Sequence, residues 1–199
     1  MNIIWHGHSC FEITGKDGTI VFDPYQANSV PGLNSLKLKA NLVLCSHEHD
    51  DHNARNCVEV APKDFKVTCI ETYHDHHQGS HRGKNTIHIV DFEDLKVVHM
   101  GDIGCMMDDV SKLKNCDVLM IPIGGYYTID TKEALKYIER IQPRIVIPMH
   151  YRSHEFGYDV LSTNEEFIQK SSNIVYVDDY LEVHKETKGQ TIVLKKPRN

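Results

Sequence analysis

The chain has 199 residues, 40% of them hydrophobic and 25% charged, with a formal net charge of −6 at pH 7. This length suits one domain, residues 1–199, with a substantial core, and the composition is that of a soluble globular protein. The acidic balance argues against non-specific binding of nucleic acid.

The N-terminus lacks the basic region and long apolar run of a signal peptide, and no later apolar run approaches bilayer length. We therefore expect a cytoplasmic protein without a membrane partner. The six cysteines are scattered without a C-x-x-C pair, so we expect reduced thiols. Cys45 and Cys105 lie near candidate ligands in the sequence, although a structural role is favoured for both. A homo-oligomer is compatible with the sequence, which does not determine the oligomeric state.

Short apolar segments separated by turns predict a chain built mainly of strands. The turn at Asp17-Gly18 is typical of a hairpin, so the opening segment should be a β-meander. The predicted strands are Asn2–Trp5, Phe11–Ile13, Thr19–Phe22, Leu42–Cys45, Lys66–Ile70, Thr86–Phe92, Leu95–Met100, Val118–Ile123, Arg144–Met149, Ile174–Val177, Tyr180–His184 and Thr191–Leu194. Leu42–Cys45 should be buried on both faces because it is apolar throughout.

Helical signals are fewer. Asp130 can cap a helix that has Glu133 at its third position, the pattern of a capping box. A second helix should be capped near Thr163, and a short one is expected within Ala54–Val60. The segment Glu71–Asn85 has no periodicity and is expected to be an irregular loop, the kind of segment that often carries function.

The strand Leu42–Cys45 runs into Ser46-His47-Glu48-His49-Asp50-Asp51-His52, where three histidines and three acids occupy six positions. Imidazole and carboxylate groups are ligands for divalent Zn, Mn, Fe and Co. Two further strands end in such a group, because Asp102 follows one and His150 follows another. With a histidine from the Glu71–Asn85 loop, this set is large enough for two metal ions.

The sequence leaves open which histidine of this loop is the metal ligand. His74 directly follows a strand-like segment, which favours it as the ligand. His76 and His77 lie two and three residues further on, and either would reach the same point if the loop turned differently.

This pattern resembles the metallo-β-lactamase superfamily, whose signature is Thr/Ser-His-x-His-x-Asp-His, then an isolated His, a Gly-Asp and a late His at strand ends. Three further segments are most similar to its small single-domain metal-dependent hydrolases, a branch similar to the ascorbate-6-phosphate lactonases. They are Trp5–Phe11, Phe22-Asp23-Pro24 and Pro122–Gly125.

The resemblance implies an α+β fold, a four-layer αβ/βα sandwich of two mixed sheets flanked by helices, with the site at one edge of the sheets. It also implies two divalent metal ions, with zinc expected and manganese or iron as alternatives. The implied ligands are His47, His49 and His74 for the first ion, Asp51, His52 and His150 for the second, and Asp102 as a bridge. Asp51 would also be the catalytic residue that orients a metal-activated water.

Substrate contacts are harder to assign from the sequence. Turns and loops near the expected site supply five candidates, for each of which a packing or solvated role is the alternative: His8, His76, His77, Tyr126 and Tyr151. The loops Tyr25–Ser35 and Glu71–Asn85 should select the substrate.

We therefore expect a binuclear metal-dependent hydrolase that cleaves an ester-like bond, a lactone or a phosphoester, in a small molecule. One alternative is a nuclease or phosphodiesterase, although nuclease relatives usually carry an inserted domain or an RNA-gripping arm. A second is a di-iron oxidoreductase, which is disfavoured because those relatives place Glu where this chain has His49. A third is a catalytically silent metal-binding module.

Overall fold

The computed structural model describes residues 1–198, which form fourteen strands and two α-helices. The helices are α1 (Thr131–Ile141) and α2 (Glu165–Lys170), and single 3-10 turns occupy Arg55–Cys57 and Ser111–Leu113. The strands are β1 (Asn2–Gly7), β2 (Cys10–Gly15), β3 (Gly18–Phe22), β4 (Leu38–Ala40), β5 (Leu42–Leu44), β6 (Val58–Val60), β7 (Lys66–Tyr73), β8 (Lys84–Phe92), β9 (Leu95–His99), β10 (Val118–Pro122), β11 (Ile145–Met149), β12 (Ile174–Val177), β13 (Tyr180–Glu182) and β14 (Gln190–Leu194).

The first sheet is built on the predicted meander. Strands β1, β2 and β3 pair antiparallel, β5 adds parallel to β3, and β13 adds antiparallel to β1. The resulting order is β13-β1-β2-β3-β5. Because side chains alternate across a strand, Trp5, Phe11 and Phe22 share one buried face, whereas Cys10 and Val21 face the other way.

The second sheet has seven strands in the order β12-β14-β11-β10-β9-β8-β7. Strands β9, β10, β11, β14 and β12 run parallel, whereas β7, β8 and β9 pair antiparallel. Every residue of the central strands β10 and β11 is buried, as expected for parallel strands covered on both faces. The two sheets contribute to one continuous hydrophobic core.

The outer face of the five-stranded sheet does not face the core shared by the two sheets and packs against a separate layer. A separate cluster that includes Cys10, Val21, Tyr25 and Val30 fills the space beneath the connection from β3 to β6. Within residues 1–198 this layer contains the small β4-β6 sheet and a 3-10 turn, and no α-helix. The predicted α+β class with two mixed sheets is nevertheless confirmed.

Three local predictions differ from the structure. The strand β5 is half-buried rather than buried on both faces, because it lies at an edge of its sheet. The expected helix within Ala54–Val60 is instead a 3-10 turn followed by β6. The α2 helix begins after Asn164, one residue beyond the predicted cap at Thr163, and its N-cap side chain makes no capping hydrogen bond.

The loop between β7 and β8 is shorter than predicted. Pairing with β8 extends β7 through Tyr73, which leaves residues 74–83 as the irregular segment. No helix among residues 1–198 is long and apolar enough to span a bilayer.

The predicted capping box of α1 is present. The Glu133 N–H donates to Asp130 Oδ1 at 2.9 Å, and the Asp130 N–H donates to Glu133 Oε2 at 3.2 Å. Both hydrogen bonds satisfy donors near the helix start.

We expect Asp130→Ala to lower the free energy of unfolding by about 1 kcal/mol, because it leaves the Glu133 N–H without its acceptor. Urea unfolding followed by circular dichroism measures this change. Lys136→Ala, an exposed substitution on the same helix, is the control and should change stability by less than about 0.5 kcal/mol. Equal effects of the two substitutions would contradict the capping role.

Candidate metal centre

Five strands deliver polar side chains to one edge of the two sheets. His8 follows β1, the cluster from His47 to His52 follows β5, and His74 follows β7. Asp102 and His150 come shortly after β9 and β11. Because β9 and β11 are parallel members of one sheet, their carboxyl ends meet at the same edge.

These side chains form three overlapping groups, in each of which every member offers one ligand atom within 4.8 Å of the others. The groups are His47, His49 and His74; then His8, Asp51, His52 and His150; then His47, His52 and Asp102. All seven residues predicted as metal ligands therefore lie in this cluster, together with His8. No cysteine belongs to any of the groups found within residues 1–198.

Asp102 lies between the first two of these groups. Its Oδ2 atom is 2.9 Å from His150 Nε2, 3.2 Å from His52 Nε2 and 3.5 Å from His74 Nε2. One carboxylate oxygen thus reaches imidazoles of both groups. This is the geometry that a bridging ligand requires.

A buried carboxylate behind the cluster sets the orientation of two imidazoles. His52 Nδ1–H donates to Asp23 Oδ2 at 2.8 Å, which leaves His52 Nε2 free to face Asp102. The Ser46 hydroxyl donates to the same oxygen at 2.7 Å, so its remaining lone pair accepts from His47 Nδ1–H at 2.9 Å. Both histidines therefore direct Nε2 towards the cluster.

The unpaired atoms of the cluster fit metal ions. His47 Nε2 and Asp102 Oδ1 are buried and have no hydrogen-bond partner among the described residues, and the buried Nε2 atoms of His52 and His150 both face Asp102 Oδ2. Buried polar atoms are seldom left unpaired, because each costs about 1–3 kcal/mol. A nitrogen and oxygen donor set of this kind suits Zn, Mn, Fe or Co.

Burial keeps three of the imidazoles neutral. Burial and the neighbouring His52 lower the pKa of His47 to about 3, and burial and His150 lower the pKa of His8 to about 4. Burial likewise lowers the pKa of His74. Neutral imidazole is the form that binds a metal.

The carboxylates at the centre concentrate negative charge. Burial opposes ionisation of Asp102, but His150 and His52 hold its pKa well below the usual range. Burial also lowers the pKa of His52, yet Asp102, Asp51 and Asp23 outweigh it and raise that pKa well above the ordinary value. Three carboxylates around one buried imidazole form a field that favours cations.

Two residues of the cluster have left-handed backbone conformations. His8 and His150 both have φ +53°, and their rings are 4.0 Å apart between centroids. Residues other than glycine adopt this conformation uncommonly, although histidine does so more often than most, and such positions often mark functional sites. Gly124 makes room for this pair, because a Cβ there would lie 2.1 Å from the His150 carbonyl oxygen.

Asn85 supports Asp102 from the neighbouring strand β8. Its Oδ1 accepts from the Asp102 N–H at 2.8 Å, and its amide donates to Thr72 Oγ1 and to the Met100 carbonyl. Gly101 has φ +56°, and a Cβ there would lie 2.4 Å from Asn85 Oδ1. The glycine therefore allows the turn that presents Asp102.

A pocket of about 260 Å³ opens onto the cluster. Its lining consists of His49, Asp51, His74, Arg82, Asp102, Tyr127 and Tyr158. The Tyr158 hydroxyl lies 2.8 Å from the Ser29 carbonyl and 3.3 Å from Asp51 Oδ2, both of which are acceptors. His8 Nε2 lies 3.2 Å from the same Asp51 oxygen. Asp51 is thus held from two sides.

The structure distributes the five candidate substrate contacts widely. His8 lies in the cluster, and Tyr126 is exposed with its ring against Tyr127. His76 and His77 are exposed on the loop and do not line the pocket, and His76 Nε2 is 3.7 Å from Glu133 Oε1.

Tyr151 is placed in the core rather than in the pocket. Its ring lies 5.8 Å from the ring of Trp5, and its hydroxyl donates to the Leu194 carbonyl at 3.2 Å. Both ends of this side chain therefore have protein partners away from the cluster.

Residues 2–150 match the sequence model of the Beta-lactamase superfamily domain. The chain belongs to this family. The predicted resemblance to the metallo-β-lactamase superfamily is therefore confirmed, as is its small single-domain branch.

Similar proteins agree with this placement. The UPF0173 metal-dependent hydrolase of Thermoplasma acidophilum is 28% identical over 78% of this chain and 85% of its own length. A UPF0173 metal-dependent hydrolase of Staphylothermus marinus is 30% identical over 74% of this chain and 82% of its own length. A crystal structure from Thermotoga maritima, assigned to the zinc-dependent hydrolases of the metallo-beta-lactamase superfamily, has a TM-score of 0.77 and 25% identity, with 97% of each chain covered.

The sequence did not assign a role to three residues that the structure brings to the site. Arg82 and Tyr158 line the pocket, and Asp23 orients two imidazoles. Asp23 had a sequence signal, because it follows a strand within the Phe22-Asp23-Pro24 segment. Tyr158 had none, because its contact with Asp51 spans 107 positions of the chain.

We expect Asp23→Asn to weaken zinc binding by about 10- to 100-fold, because an amide cannot accept all the hydrogen bonds that orient His52 and Ser46. Competition with a chromophoric chelator measures the affinity. Glu12→Gln is the matched control, since Glu12 pairs with His6 at 3.3 Å rather than with the cluster. Wild-type affinity in Asp23→Asn would exclude the orienting role.

Proposed function

We propose that this protein is a binuclear metal-dependent hydrolase that cleaves an ester-like bond, a lactone or a phosphoester, in a small molecule. The observation that carries the proposal is the position of Asp102, whose Oδ2 reaches His52, His74 and His150 within 3.5 Å. The membership of the chain in a family of metal-dependent hydrolases supports the reaction class.

The cluster divides into two proposed metal sites. His47, His49 and His74 would hold the first ion, Asp51, His52 and His150 the second, and Asp102 would bridge them. When bound, two divalent ions lower the pKa of a water molecule towards neutrality and polarise the oxygen of the bond to be cleaved. Zinc is the proposed metal, with manganese or iron as alternatives for the same donors.

Asp51 is the proposed catalytic residue. Burial opposes its ionisation, but His52 and His8 keep its pKa well below the usual range, so it is a carboxylate at neutral pH. Contacts with His8 and Tyr158 hold Oδ2 in place. The carboxylate would orient the attacking water and accept its proton for delivery to the leaving group.

The pocket favours a small molecule over a polymer. Its volume of about 260 Å³ lies just below the range of about 300–1,000 Å³ for small-ligand sites. Between Asp102 and His150 the structure contains a 3-10 turn, β10, α1 and β11, and no inserted domain. His49 supplies an imidazole to the first group, where the di-iron oxidoreductases place Glu, which supports hydrolysis over redox chemistry.

Elemental analysis and a hydrolysis panel on the same sample test the proposal. We expect about two metal ions per chain and turnover of a lactone or a phosphoester. Asp102→Ala and His49→Ala should each lose at least one ion, and kcat/KM should fall by at least about 100-fold. His184→Ala removes an exposed histidine that pairs with Glu182 and should behave as wild type.

Four results would contradict the proposal. Full metal content with unimpaired turnover in both variants would exclude the assigned centre. Faster cleavage of RNA or DNA than of small substrates would indicate a nuclease, and redox-cycling iron with oxygen consumption would indicate an oxidoreductase. Bound metals without turnover across lactones, thioesters, phosphoesters and β-lactams would indicate a catalytically silent module.

A further inference from the structure

Arg82 lies on the wall of the pocket that opens onto the candidate metal centre. It shares this wall with Asp51 and Asp102, and with Tyr127 and Tyr158. Apart from Arg82, the charged and titratable groups that line the pocket are the carboxylates, imidazoles and phenols already described, so Arg82 is its one permanently cationic side chain.

The guanidinium of Arg82 has no hydrogen bond or ion pair to another residue within residues 1–198, where only its backbone N–H is bonded. Each of the other five arginines uses its guanidinium in a protein contact. Arg55 pairs with Glu48, Arg144 with Asp117 and Arg198 with Asp179, whereas Arg140 and Arg152 donate to carbonyl groups. Arg82 alone retains its hydrogen-bond donors for a ligand.

Two aromatic rings restrain this free guanidinium. Its central carbon lies 5.3 Å from the ring centroid of Tyr127 and 5.8 Å from that of Tyr126. The tyrosine rings meet edge to face, with centroids 4.8 Å apart. Cation–π contacts of this kind hold a guanidinium by its face and leave the in-plane N–H groups available.

The backbone at Arg82 is held by Asp75. The Asp75 carboxylate accepts hydrogen bonds from the N–H groups of His77, Gly79, His81 and Arg82 at 2.7 to 3.1 Å. Burial opposes ionisation of Asp75, but these four donors hold its pKa well below the usual range. The same loop begins at His74, so one carboxylate orders the connection between a candidate ligand and the guanidinium.

We propose that Arg82, held against Tyr127 and Tyr126, binds an anionic group of the substrate, a carboxylate or a phosphate that is distinct from the bond to be cleaved. This inference rests on the proposed hydrolase function and adds the substrate class. A planar guanidinium with free N–H groups matches the two oxygens of such an anion. In a pocket of this size, the anion and the reacting bond belong to one small molecule.

The test uses three γ-butyrolactones that differ at one ring substituent: a neutral hydroxymethyl group, a carboxylate and a phosphorylated hydroxymethyl group. Hydrolysis by the zinc-loaded protein is followed by pH-stat titration. We expect the wild type to favour at least one anionic lactone over the neutral one by about tenfold or more, because hydrogen bonds to charged groups are strong. The preferred anion distinguishes a carboxylate site from a phosphate site.

Variants of Arg82 and Tyr127 test whether Arg82 causes the preference for an anionic lactone. Arg82→Met should lower kcat/KM for the anionic lactone by about 10- to 100-fold, mainly through KM, and for the neutral lactone by less than about threefold. Arg82→Lys should recover part of the loss, since it keeps the charge without the planar geometry. Tyr127→Phe should retain the preference and Tyr127→Leu should weaken it, because only the former keeps the aromatic face.

Arg198→Met is the matched control, because Arg198 also lies over a tyrosine ring, that of Tyr180 at 6.0 Å, but does not line the pocket. It should keep the wild-type preference. An equal loss for neutral and anionic lactones in Arg82→Met would overturn the anion site while leaving the hydrolase assignment intact.

If the wild type hydrolyses none of the lactones, calorimetric binding of the two anionic lactones still tests Arg82. Binding that is lost in Arg82→Met and kept in Arg198→Met would support the anion site, even though the proposed lactonase activity had failed. Binding that is equal in the two variants, or absent from the wild type, would overturn it.

Discussion

The candidate metal centre depends on the hydrogen bonds that the carboxylate of Asp23 accepts. This carboxylate is fully buried and accepts hydrogen bonds from the Ser46 N–H, the Ser46 hydroxyl and His52 Nδ1. These bonds join the end of β3 to the segment after β5 and determine which nitrogen of His47 and His52 faces the cluster. A buried charge is stable only with such partners, so the ligand segment and the meander constrain each other.

A second buried carboxylate, that of Asp75, performs a similar task. Asp75 gathers four backbone N–H groups of the loop between β7 and β8, which begins at His74 and places Arg82 beside two tyrosines. The two carboxylates order segments from different sheets. The metal cluster and the guanidinium consequently face one pocket although they come from separate parts of the chain.

The parts of the fold that local chemistry controls were predictable. The Asp17-Gly18 turn, the capping box at Asp130 and most strands follow from neighbouring residues, and all are present. The helix expected near Thr163 is present with its N-cap one residue later, at Asn164, whereas the helix expected within Ala54–Val60 was wrong, because short segments take their conformation from the surfaces they pack against. His76 and His77 lie outside the pocket because hydrogen bonds to Asp75 set the conformation of residues 74–83. The hydrophobic periodicity of the sequence does not reveal such hydrogen bonds.

The sequence by itself determined the types of the candidate ligands, their order along the chain and the family. These follow from residues that are close together in the sequence, above all the histidines and acids directly after a strand. Only the tertiary structure decided that these candidate ligands converge on Asp102, that His8 joins them, and that Tyr158 and Arg82 complete the pocket. The physical reason is distance along the chain. Asp51 and Tyr158 are 107 positions apart, and only the packing of the two sheets brings such residues within hydrogen-bonding distance.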